Sequence, residues 1–60
     1  MYYQTYFNPG IKSVVKTYLD DNEFEYSFTD YDDEVVLDVD IPEDKVMELE
    51  YFITDEEDSL

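Results

Sequence analysis

Apolar and polar residues alternate most regularly between Glu23 and Ile41. Phe24, Tyr26 and Phe28 are interleaved with Glu23, Glu25, Ser27 and Thr29. Beyond a polar stretch, Val35, Leu37, Val39 and Ile41 are interleaved with Glu34, Val36, Asp38 and Asp40. Successive side chains on a strand point to opposite faces, so this pattern predicts a β-hairpin with one apolar and one acidic face. Its connection, Asp30 to Asp33, lacks the Asn-Gly or Asp-Gly of two-residue turns, so a loop of three to five residues is expected.

Elsewhere the period changes. Tyr2–Phe7 has the Tyr, Thr and Phe content of a strand, either central or at an edge that meets a partner. Asn8-Pro9-Gly10 reads as a turn into a helix, with Asn8 as N-cap and Pro9 at the first helical position. Ile11, Val14, Val15, Tyr18 and Leu19 then form the apolar stripe of an amphipathic helix that fades at Asp20-Asp21-Asn22. Pro42, Glu43 and Asp44 suit a second helix start, and Val46, Leu49 and Ile53 share a helical face. The same stretch also alternates as Met47, Leu49, Tyr51 and Ile53, so a strand stays open. Taking the helix, the expected fold is α+β: a small three-stranded antiparallel sheet, ordered strand-helix-strand-strand-helix, with helices on one face and an acidic open face. One domain over 1–54 is expected, followed by an acidic tail over 55–60, where Asp55 to Asp58 oppose a helix dipole.

Composition narrows what such a fold can do. A chain of 60 residues buries about 60% of its unfolded surface and is marginally stable. It has no Cys for a disulfide or thiolate metal site, and no His for acid–base work or zinc. Seven Tyr, four Phe and the clear periodicity argue for a folded chain, despite a net charge of −15. No apolar run is long enough to span a membrane, and no signal peptide opens the chain, so a cytoplasmic protein is expected.

Candidate chemistry is thin. Asp30, Asp32 and Glu34 occupy the first ligand positions of a calcium-loop pattern, but Val35 stands where Gly must turn and Ile41 where a bidentate Glu belongs. No acid lies in an apolar setting of the kind that tunes carboxylate pairs for catalysis, and Gly10 is the only glycine, so phosphate loops are absent. The sequence therefore predicts no enzyme, no cofactor and no metal.

The charge is the remaining signal. Lys12 and Lys16 precede every acid, and all 18 acids follow from Asp20 onward with Lys45 alone among them. Solubility needs a net charge of only about 2–8 in magnitude, and the excess destabilises the compact state. Crowding of this kind is expected to raise carboxylate pKa values. Rows of carboxylates can occupy the Lys and Arg arrays with which proteins grip DNA. Glu23, Glu25, Asp38 and Asp40 are expected to form two rows on the open sheet face. Asp30, Asp32, Asp33 and Glu34 extend them at the hairpin tip, and Glu43, Asp44, Glu48 and Glu50 add a flank from the last element. Such a chain is expected to bind a basic protein, but neither nucleic acid nor membrane, as a monomer or small homodimer.

In size, charge, lack of Cys and His, and acidic strands, the chain resembles the small phage-encoded DNA-mimic inhibitors. These include anti-CRISPR proteins, anti-restriction proteins and inhibitors of uracil-DNA glycosylase. The resemblance spans the whole chain and rests on no shared motif, so it transfers no residue roles. It implies blockade, in the host cytoplasm, of a defence complex that grips DNA. An anti-CRISPR acting on Cascade or Cas9 is the favoured case.

Overall fold

The computed structural model of the chain describes residues 1–60. Its elements run β1 (Tyr2–Phe7), a 3-10 turn (Pro9–Ile11), α1 (Lys12–Asp21), β2 (Glu25–Asp30), β3 (Val35–Asp40) and α2 (Glu43–Asp58). The strands form one antiparallel sheet in the order β1-β3-β2. β3 is therefore central, and β1 and β2 are the edges. Both helices contribute to the core on one face of the sheet, as the α+β expectation has it.

Alternation fixes what each strand buries. Val35, Leu37, Val39 and Ile41 are all buried, because the central strand turns its apolar face wholly to the helices. Phe7 joins them from β1, while Phe24, Tyr26 and Phe28 pack half-buried at the β2 margin. From the helices come Ile11, Val15 and Leu19, then Leu49 and Ile53. No polar or charged residue is buried in this core.

The helix ends follow from local chemistry. Asn8 Oδ1 accepts the Gly10 N–H at 2.7 Å, and Pro9 opens the 3-10 turn that leads into α1. At the other end of α1, Phe24 N–H reaches Leu19 C=O and Glu23 N–H reaches Asp20 C=O, both at 3.1 Å. This is a Schellman ending, with Phe24 folding back toward the core that Leu19 occupies. Its C′ residue is Glu23, at φ 59°, where glycine is usual. Glu23 is thus the helix stop and not the first residue of β2. Val14, placed on the buried stripe by its spacing, is 39% exposed instead. It lies on the rim of a groove with Ser13, Thr17, Tyr18, Asp21 and Phe52.

The last element is a helix. Leu49 and Ile53, four residues apart, are buried, whereas Met47 and Tyr51 are 64% and 65% exposed. Pro42 is the N-cap, with extended backbone, and Glu43 and Asp44 fill the first turn. The helix continues through Asp55 to Asp58, the stretch expected to lie in an acidic tail. Glu57 Oε2 accepts the Asn8 N–H at 2.8 Å and ties the last turn to the end of β1. Ser59 Oγ donates to Asp55 C=O and occupies one carbonyl near the helix end. No helix is long and apolar enough to cross a membrane.

Candidate functional site

The open face of the sheet carries three cross-strand rows. Tyr2, Asp40 and Glu25 stand in register, then Gln4, Asp38 and Ser27, then Tyr6, Val36 and Thr29. Glu25, Asp38 and Asp40 are thus together on this face. Glu23 is not in its rows, because it ends α1 instead. The face is also less uniformly acidic than alternation in the hairpin suggests. β1 adds two tyrosines and a glutamine, and β2 adds Ser27 and Thr29.

Asp38 is the most tightly held carboxylate on the face. Its Oδ1 accepts from the Tyr2 hydroxyl and from Gln4 Nε2, the latter at 2.9 Å. These bonds, Tyr2 first, hold the Asp38 carboxyl below its ordinary range, and the Tyr2 phenol is raised in return. Both donors favour the charged form, so Asp38 presents a fixed negative charge with Oδ2 outside these bonds. Asp40 lies 3.3 Å from the N-terminal ammonium, which also donates to Ile41 C=O at 2.7 Å.

The four-residue connection Tyr31 to Glu34 closes with Tyr31 N–H on Glu34 C=O at 2.9 Å. Asp32 and Asp33 are exposed at its tip. Asp33 and Glu34 line a shallow cavity with Tyr6, Phe7, Asn8 and Glu57. Asp30 does not join this group. It shares the helix side of β2 with Tyr26 and Phe28, where Lys12 Nζ holds both its oxygens at 2.8 and 3.0 Å. Glu43 and Asp44 are exposed at the opposite end, in the first turn of α2 just beyond Asp40. The expected site residues therefore form no single plane. Glu43 and Asp44, then Asp40 and Asp38, then Glu34, Asp33 and Asp32 follow the length of β3, with Glu25 alongside.

Every cation is already engaged. Lys12 pairs with Asp30, Lys16 with Asp20, Lys45 with Glu48, and the N-terminus with Asp40. Asp20 also accepts from the Tyr26 hydroxyl at 2.6 Å, and this bond, followed by Lys16, holds its carboxyl below the ordinary range. Asp20 and Asp38 thus move opposite to the upward shift expected from crowding. Apart from Asp20, Asp30, Asp40 and Glu48, the acids have no cationic partner within the chain. No group of acidic side chains is arranged to hold a metal ion, and two positions of the calcium-loop pattern, Val35 and Ile41, are core residues.

Hairpin alternation draws attention away from Tyr2, Gln4 and Tyr6. Tyr2 and Tyr6 are 70% and 68% exposed on the open face. The signal for them is the period-two pattern of β1, whose two faces are both partly apolar. Glu57 gave no such signal, since it reads as part of an acidic tail. Comparison with protein-family models, curated proteins and solved structures finds no match to this chain.

Proposed function

We propose that the protein is a DNA-mimic inhibitor. It occupies the positively charged DNA- or PAM-binding surface of a host defence complex and keeps target DNA out. The favoured case is an anti-CRISPR acting on Cascade or Cas9 in the cytoplasm of a host cell. The observation that carries this reading is charge density. The chain bears −15 along a longest dimension of 27 Å. Duplex DNA bears one charge per ~1.7 Å of axis, hence about 16 over the same length. Every lysine is tied back to an acid, so no free cation interrupts the field a partner meets.

Such a surface acts by occupancy alone. Its acids attract Lys and Arg arrays at long range, giving fast association that weakens steeply with salt. PAM readers use arginines and basic channels, the chemistry an acidic plug meets. The function needs no cofactor and no catalysis. The test is capture from a bacterial lysate on the immobilised protein at low salt, with elution by duplex DNA. DNA-handling proteins released by DNA support the reading, and captured proteins that salt releases but DNA does not count against it.

The exposed Met47 and Tyr51 on α2 favour a second reading. An acidic interaction module, such as an antitoxin-like partner of a basic protein, would use this apolar pair as an anchor and would not compete with DNA.

A further inference from the structure

The free edge of β1 is unusual for this chain. Charged residues make up 35% of the sequence, yet Tyr2–Phe7 contains none, and no Pro or Gly. Edge strands are ordinarily blunted by charge, Pro or bulges, because their unpaired backbone groups invite another strand. β2, the other edge, carries Glu25 and Asp30.

The ladder shows which groups are unpaired. Met1 and Ile41 exchange both backbone bonds, the N-terminal ammonium to Ile41 C=O and Ile41 N–H to Met1 C=O. Hydrogen-bonded pairs alternate in an antiparallel ladder, so Tyr3, Thr5 and Phe7 bond to β3. The N–H and C=O of Tyr2, Gln4 and Tyr6 therefore point away from the sheet. The side chains of these same residues stand on the open face, with Asp38 and Asp40 on the next strand. Below the edge, Tyr3 faces the helices with Glu50 beside it; burial and that carboxylate raise its phenol. Glu50 Oε1 is shielded from solvent and accepts no hydrogen bond.

We propose that the free edge of β1 takes up an extended, basic segment of a partner protein as a fourth strand. Backbone bonds to Tyr2, Gln4 and Tyr6 supply the pairing. Alternate Lys or Arg side chains of the added strand lie across the Tyr2 and Tyr6 rings toward Asp38 and Asp40. The other side-chain row passes below the edge, where Glu50 Oε1 lacks a donor. Charge selects this occupant: a second copy would bring another −15 to the edge, whereas a basic segment is attracted by it. The inference does not rest on competition with DNA.

The test is amide hydrogen exchange on the isotope-labelled full chain at low salt. The probe is a short peptide of alternating Arg and Val, and the control is the same peptide N-methylated along its pairing edge. The plain peptide is expected to slow exchange at Tyr2, Gln4 and Tyr6 at least about tenfold, and the methylated one to leave it unchanged. In the protein, Gln4→Pro removes an edge donor but no β1–β3 bond and abolishes the protection, whereas Gln4→Ala retains it. Should Gln4→Pro fail to fold, the peptide pair alone decides. Equal protection by both peptides, no protection, or protection at Tyr26 and Phe28 on the β2 edge overturns the proposal. Protection that grows with protein concentration without peptide makes a second copy the occupant and overturns it equally.

Discussion

Lys12 Nζ holds both carboxylate oxygens of Asp30, at 2.8 and 3.0 Å, and lies 5.3 Å from the centre of the Phe28 ring. This contact joins the start of α1 to the end of β2 and takes Asp30 away from the acids at the hairpin tip. Asp30→Asn is therefore expected to lower stability by about 0.2–1 kcal/mol, the range for partly exposed pairs, and to leave partner binding unchanged. Chemical denaturation and a binding titration on the same variant check both halves. A variant of wild-type stability that binds poorly would return Asp30 to the site.

Glu23 holds a backbone conformation that costs an L-residue roughly 1–2 kcal/mol, and it adds negative charge at the unfavourable end of the α1 dipole. Glu23→Gly relieves both at the Schellman C′ position. The free energy of unfolding, read by chemical denaturation, is expected to rise by up to about 1 kcal/mol after the extra chain entropy of glycine is subtracted. A fall would show that the Glu23 side chain contributes more than its backbone costs.

Tyr18 gives the clearest pH dependence. Burial first, and then its 2.9 Å bond to Glu48, push the phenol up to about 12. A raised folded pKa favours the protonated form in the native state. Its contribution is therefore complete below the ordinary tyrosine value of 10.0 and is lost as pH rises from there to about 12. Tyr18→Phe keeps the ring that stacks on Phe52 at 4.5 Å and should flatten this alkaline loss. Asp38 acts at the other limb. Its folded pKa is depressed, so its contribution is present above the ordinary carboxylate value and lost as pH falls through the folded one. In thermal melts across pH, Tyr18→Phe is compared with wild type on the alkaline limb, and Tyr2→Phe, which also removes a raised phenol, is compared on the acid limb alone. An unchanged alkaline limb in Tyr18→Phe would contradict the assignment.

The hairpin and α1 were legible because each has one dominant period and its buried residues obey it. α2 was ambiguous because Leu49 and Ile53 satisfy a four-residue spacing and an alternation equally well. The exposure of Met47 and Tyr51 and the packing of Val46 and Phe52 against the core separate the two, and both depend on which face the sheet covers. Glu23 departs from the pattern for a different reason. It continues the alternation of β2, and nothing in its chemistry announces a left-handed backbone. Among the site residues, Asp38 and Asp40 follow from the alternation of β3. The roles of Asp30 and Glu57 depend on Lys12 and Asn8, which are distant in sequence, and no local pattern could supply them.

Charge reversals of equal size test whether the face matters beyond its charge. Asp38→Lys with Asp40→Lys changes the net charge as much as Asp55→Lys with Asp58→Lys. The first pair lies on the sheet along β3, and the second lies in the last turns of α2. The sheet pair is expected to weaken partner binding at least about tenfold more, or ~1.4 kcal/mol. Equal losses in a binding titration would reduce the site to net charge.

The most direct measurement is equilibrium competition on a purified, captured target. Labelled duplex DNA bound to that target is titrated with this protein, and then excess DNA is added back. Mimicry predicts that the apparent affinity for DNA falls in step with protein concentration and that excess DNA restores full binding. A stable ternary complex of protein, target and DNA would contradict it.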